Sequence, residues 1–119
     1  MHEMGIAEGI LSSSLEAAEG AGALSITGVY VTIGELTEVS EDALQFAWEA
    51  ICPGTLAEGS VLDVTMVPAT SGCADCGHEW MHDRYSGAQC PSCGGWVVML
   101  RQGREMKIDS IDIDEESDA

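Results

Sequence analysis

From Glu3 to Glu19 the apolar residues Met4, Ala7, Leu11, Leu15 and Ala18 recur at steps of three and four, with Ile10 beside the same stripe. That period predicts an amphipathic helix, ended by Gly20 and Gly22. Leu24 to Ile33 is rich in β-branched residues and reads as a strand. Leu24 and Ile26 share one phase, and Val29, Val31 and Ile33 share the other. The switch falls at Gly28, which predicts a bulge or a strand covered on both faces. Gly34-Glu35-Leu36-Thr37 is a turn, and Ser40 is placed to cap a second helix over Glu41–Ile51. Leu44, Ala47, Trp48 and Ile51 lie on one face of that helix, and Pro53-Gly54 terminates it. Phe46 and Trp48 are both expected in the core or in helix-to-sheet packing rather than in a ligand box, and Cys52 is expected to be a buried free thiol.

Val61–Val67 alternates as a strand, with Pro68 closing it and Thr70-Ser71-Gly72 leading onward. Trp96 to Arg101 reads as a strand, Gln102-Gly103 as a hairpin turn, and Arg104 to Ile113 as a last strand whose phase slips near Asp109-Ser110. From Asp114 the acidic end is expected to fray. The resulting fold class is α+β: a small mixed sheet of about three strands with two helices on one face, and a further lobe inserted before the last strand. The expected division is 1–68 with 103–119 for the α/β lobe and 69–102 for the inserted lobe.

The inserted lobe carries the strongest motif in the chain. Cys73-Ala-Asp-Cys76 and Cys90-Pro-Ser-Cys93 are separated by thirteen residues, and each pair is followed by glycine, at Gly77 and Gly94. Two such pairs can bring four thiolates round one point, the geometry of a zinc ribbon. Soft thiolates also hold iron, so a rubredoxin-like electron carrier shares this wording. Two disulfides would require an oxidising compartment, to which nothing points. His78 and His82, in the same loop, read as solvated residues, with modulation of the metal site as the other option.

Charge narrows the partners. Asp and Glu number 21 against four Lys and Arg, a formal net charge of -17. Such a surface repels phosphate backbones, which counts against nucleic acid and against a zinc-ribbon module bound to a transcription complex. The acidity suits basic partner surfaces, attracts cations, or adapts the protein to high salt. No secretory signal is visible and no apolar stretch approaches the roughly 20 residues of a membrane span, so a soluble cytoplasmic protein is expected.

The start of the chain, Met1-His2-Glu3, is the second candidate metal site. A terminal amine, with a reference pKa near 8, is a ligand once deprotonated. With the His2 amide it closes a five-membered chelate ring, and that amide with the His2 imidazole closes a six-membered one. Glu3 offers a further amide nitrogen or a carboxylate oxygen. Nitrogen and oxygen donors in a plane suit Ni(II) or Cu(II). Taken alone, a solvated terminal histidine is the plainer reading.

Across nearly the full chain, Met1-His2-Glu3-Met4, Ile33-Gly34-Glu35-Leu36, Phe46-Ala47-Trp48-Glu49, Gly54-Thr55-Leu56-Ala57-Glu58-Gly59, both CxxC pairs and Ile108-Asp109-Ser110-Ile111 resemble the HypA/HybF family of [NiFe]-hydrogenase maturation nickel chaperones. The resemblance implies a metallochaperone and no enzyme. It implies labile Ni(II) cargo held by Met1, His2 and Glu3, and structural Zn(II) on Cys73, Cys76, Cys90 and Cys93. It also implies delivery to the hydrogenase large subunit with a HypB-type GTPase, service to urease accessory proteins in some members, and a monomer or homodimer. The chain is more acidic than the resemblance leads one to expect.

Overall fold

The computed structural model describes residues 2–115. Its elements run α1 (Glu3–Gly20), β1 (Ala23–Gly34), a short 3-10 turn (Glu35–Thr37), α2 (Glu41–Ile51), β2 (Val61–Val67), β3 (Ala69–Cys73), β4 (Glu79–His82), β5 (Val98–Gln102) and β6 (Met106–Glu115). Two three-stranded sheets form, one in the order β2-β1-β6 and the other β4-β3-β5. The chain divides into two compact units. One comprises Met1–Val31, Val39–Thr65 and Ile108–Ala119, the other Thr32–Glu38 and Met66–Lys107.

The first unit is an ordinary hydrophobic core. Ala7, Ile10, Leu11 and Ala18 of α1 are buried, as are Leu44, Ala47 and Trp48 of α2 and Ile26, Val29 and Val31 of β1. α2 keeps its expected bounds because its signals are local. The Ser40 side chain accepts the Ala43 amide at 3.2 Å, satisfying an otherwise orphaned donor. The Trp48 indole donates to Ser60 Oγ at 3.0 Å, so the largest core side chain is buried with its polar atom paired. The expected phase change in β1 is present: burial moves from Ile26 to Val29, Val31 and Ile33, with Gly28 between.

Three expectations for this unit need correction. Met4 is 42% exposed, whereas Glu3 and Ser14 are buried, so the inner face of α1 is turned from the apolar stripe toward Glu3, Ala7, Ile10 and Ser14. Phe46 is 73% exposed and packs in no core; only Trp48 of that pair does. β6 continues as a strand through Asp114 and Glu115, past the point where fraying was expected, and residues 116–119 lie outside the described residues.

In the second unit β3 is the central strand. It pairs antiparallel with β4, Ser71 opposite Trp80, and with β5, Ser71 opposite Leu100. Thr70-Ser71-Gly72, read as a lead-in, is therefore the middle of a sheet. Gln102-Gly103 is no hairpin: β5 belongs to one sheet and β6 to the other, and the chain crosses between them there. At that crossing the Leu36 amide donates to the Gly103 carbonyl and the Gly34 amide to the Glu105 carbonyl, both at 2.8 Å. A Cβ on Gly34 would stand 2.1 Å from the Gly103 carbonyl group, so glycine at position 34 is a steric requirement.

Candidate metal centre and the chain start

The two CxxC-Gly segments fold as two copies of one turn. The Gly77 amide donates to the Cys73 carbonyl and the Gly94 amide to the Cys90 carbonyl, each at 2.9 Å. The Cys73 and Cys90 amides in turn donate to the carbonyls of His78 and Gly95, again at 2.9 Å. Each turn needs a left-handed residue after its second cysteine, which Gly77 (φ 76) and Gly94 (φ 75) supply. The glycines that follow both pairs are thus part of the site's construction.

These turns bring the four sulfurs within 4.8 Å of one another. Cys73 Sγ lies 3.6 Å from Cys93 Sγ, and Cys76 Sγ 3.6 Å from Cys90 Sγ. Four sulfurs at about 2.3 Å from a tetrahedral ion would stand about 3.8 Å apart, so these two separations suit such an ion and the remaining pairs lie within reach of it. A disulfide needs roughly 2.05 Å, and all five cysteines are free thiols. Amides feed charge into the cage: the Cys93 amide points at Cys90 Sγ at 3.5 Å and the Gly95 amide at Cys93 Sγ at 3.4 Å. Burial pushes the Cys90 thiol up, but the amides of Cys93 and Ser92 and the neighbouring thiols of Cys76 and Cys93 outweigh it and hold it down, while the same crowding of sulfurs pushes Cys93 and Cys76 up. The donor set is four thiolates with two buried and two exposed members, fit for a soft tetrahedral cation and leaving no open position for catalysis.

Neither histidine in this unit joins the cage. His78 stacks on Trp80, with ring centroids 5.8 Å apart. His82 is not a solvated loop residue. It sits on β4 with Nε2 2.6 Å from Ser71 Oγ and Nδ1 2.6 Å from the Asp83 carbonyl. Cys52 is buried as expected, and burial pushes its thiol up.

At the chain start, His2 takes the cap position of α1 without any side-chain capping bond, and it is exposed. Glu3 opens the helix and is buried, its carboxylate accepting the Ser40 amide at 2.9 Å. Glu3 therefore reaches the N-terminus of α2, where Ser40 is the cap. The positive chain terminus and then the Ser40 amide hold the Glu3 carboxyl down to about 2. Met1 lies outside the described residues.

With both sites in view, residues 1–113 match the family described as "Hydrogenase/urease nickel incorporation, metallochaperone, hypA". The chain belongs to the HypA family. A hydrogenase maturation factor HypA of Streptomyces avermitilis is 38% identical over 112 residues, 93% of this chain and 86% of that one. Its counterpart from Rhodobacter capsulatus is 36% identical over 113 residues, 95% and 99% of the two chains. The solution structure of the Ni metallochaperone HypA from Helicobacter pylori covers 98% of this chain and all of its own, at 26% identity and a TM-score of 0.66. A second HypA solution structure gives a TM-score of 0.70 at 26% identity, with 98% of both chains covered. The function is that of the HypA family, nickel incorporation by a metallochaperone of hydrogenase maturation. That sets aside the zinc-ribbon interaction module and the rubredoxin-like electron carrier. No helix among the described residues is long and apolar enough to cross a membrane.

Proposed function

We propose that this HypA protein carries Ni(II) as labile cargo on Met1, His2 and Glu3 and keeps Zn(II) as a permanent staple on Cys73, Cys76, Cys90 and Cys93. The observation that carries the nickel reading is the contrast at the start of α1: His2 is exposed at the cap position while Glu3 beside it is anchored. The first amides of a helix stand outside its hydrogen-bond ladder, so backbone nitrogen at positions 2 and 3 is placed for chelation. One oxygen of the Glu3 carboxylate accepts the Ser40 amide, and the positive terminus also holds the group. In this reading Glu3 gives nickel its main-chain nitrogen and the fixed direction of the segment. An exposed terminal site lets ligands leave one at a time, as a carrier requires.

The cysteine cage has the opposite character. Zinc there supplies folding energy to a unit with little apolar core and does not exchange during delivery. The protein is no enzyme in this reading: the cage has no open coordination position and nickel is transferred unchanged. Delivery runs to the hydrogenase large subunit with a HypB-type GTPase, in the cytoplasm, with urease accessory proteins as further recipients and a monomer or homodimer as the carrier.

The test is metal analysis and nickel titration of protein with its native terminus. One zinc and no iron per chain are expected, with nickel affinity falling steeply from pH about 7.5 to 6 because amine, imidazole and amide must lose protons. A His2→Ala protein with undiminished nickel affinity, or equal affinity at both pH values, removes the terminal site. Iron in the cage removes the zinc assignment and leaves the terminal site standing.

A further inference from the structure

All four Lys and Arg residues of this chain, Arg84, Arg101, Arg104 and Lys107, lie in the second unit. Two of them, Arg84 and Arg104, line one cavity of ≈ 380 Å³ there, whose apolar wall includes Leu36, Val98 and Leu100. A cavity of that size with apolar walls and a few convergent polar groups has the usual form of a small-ligand site.

The polar groups of the cavity are prepared for an anion. Arg84 is held by Glu38 and by the Tyr85 hydroxyl, and its guanidinium lies over the Tyr85 ring at 4.8 Å. A guanidinium has five N–H donors, so two such bonds fix its direction and leave others to give. Glu38 makes this contact from φ 62, the only positive φ of a non-glycine among the described residues. Such a left-handed conformation is disfavoured in an L-residue, and it marks where the surrounding structure holds the backbone in place. Arg104 is exposed and forms no ion pair among the described residues.

The one carboxylate in the lining stays ionised, but one of its oxygens is already engaged by three donors. Asp83 Oδ1 accepts the Tyr85 amide at 2.8 Å and both the amide and hydroxyl of Ser86 at 2.9 Å, which holds the group below its ordinary range. The remaining polar pair is closed on itself. A carbonyl only accepts, so His82 Nδ1 donates to the Asp83 carbonyl, and Nε2 is paired with the hydroxyl of Ser71. Recognition therefore falls to the two arginines.

We propose that this cavity binds an organic carboxylate with an apolar neighbour. Arg104 and Arg84 hold the carboxylate, and Leu36, Val98 and Leu100 receive the apolar part. A single charge is favoured over a dianionic phosphate because Glu35 and Glu38 border the Arg84 side and Glu105 the Arg104 side. The net charge of -17 opposes each added negative charge further. The carboxylate comes from a free small acid or from a peptide of another protein, and the chemistry is the same. This does not depend on where nickel binds.

The test is calorimetric titration of the zinc-loaded full chain with benzoate and with an N-acetylated Leu-Glu-Leu amide peptide. Benzamide and the Gln form of the peptide serve as neutral matches. Binding of either acid is expected, with its neutral match at least about tenfold weaker, the scale of a lost charge-assisted bond. Arg104→Gln should weaken the bound acid about tenfold as well, while Lys107→Gln, which removes the same charge away from the lining, should change it less than about twofold. Benzoate alone binding identifies a free acid as the source, and the peptide alone binding identifies a partner chain. The proposal fails if neither acid binds, if the neutral matches bind equally, or if Lys107→Gln weakens binding as much as Arg104→Gln.

Discussion

The first unit buries Trp48, Leu44, Ile26, Val29 and Val31 among two helices and a sheet, while the buried apolar residues of the second are Ile33, Ala69, Cys73 and Cys90. Charge divides in the same place. The first unit has no Lys or Arg, and the second has all four with only six of the 21 carboxylates. One unit is held by apolar burial against a large like-charge repulsion. The other has little repulsion and little to bury, so four thiolates and close glycine contacts must do the holding. A small lobe without a sufficient core needs such a staple.

The largest effect should come from removing that staple. Structural zinc in small domains supplies about 10–16 kcal/mol of apparent binding energy, far more than a single side chain. Cys90→Ala, or a strong chelator, should therefore unfold the second unit while the helical circular dichroism of α1 and α2 survives. Amide spectra in which both units collapse together would show that the contrast between them is not energetic.

The converse experiment acts on the first unit. Trp48 is 2% exposed and its indole is paired with Ser60, so Trp48→Ala should cost about 3–5 kcal/mol and leave zinc content at one per chain. Phe46→Ala, two residues away but 73% exposed, should lie within about 0.5 kcal/mol of the parent. Similar melting losses for the two variants would contradict the burial just described.

These two residues also show what a sequence reveals. Phe46 and Trp48 look alike as apolar residues on a short helix, and only the packing of α2 distinguishes them. Local signals were readable: Ser40 before and Pro53 after α2, the alternation of Val61–Val67, and the two CxxC-Gly turns with their left-handed glycines. Nonlocal partners were not. Thr70-Ser71-Gly72 is short, polar and without period, and becomes a central strand because β4 and β5 flank it. Gln102-Gly103 has hairpin chemistry, yet the same chemistry serves a crossing between sheets. Glu3 is buried because its partner is Ser40, 37 residues away, and His82 is tied because Ser71 lies opposite. For the Arg84 and Arg104 cavity no motif exists; the clustering of all four cations between positions 84 and 107 was the available sign.

Salt should sharpen the charge contrast. Self-repulsion weakens a compact state of high net charge, and it is screened within about 3 Å at molar salt. Thermal stability should rise from low to molar KCl, and the helical signal of the first unit should gain more than amide signals of β3 to β5. A melting temperature that is flat or falls with KCl would leave the acidity without a role in stability.

The smallest effect concerns Glu3, where the first unit meets the nickel reading. Its carboxyl, normally near 4.5, is held down to about 2 in the folded chain by the positive terminus and by the Ser40 amide. A depressed folded pKa gives stability that is complete above the unfolded value and is lost as pH falls from about 4.5 through 2. Glu3→Gln retains an oxygen for the Ser40 amide but not the charge. Its helical melting temperature should therefore lie below the parent's at pH 7 and converge with it near pH 2. Because the carboxylate is anchored and the amide nitrogen is unchanged, nickel affinity in this variant should fall much less than in His2→Ala. Should Glu3→Gln abolish nickel binding while melting like the parent at pH 7, the carboxylate is a ligand and the anchor at Ser40 is not its task.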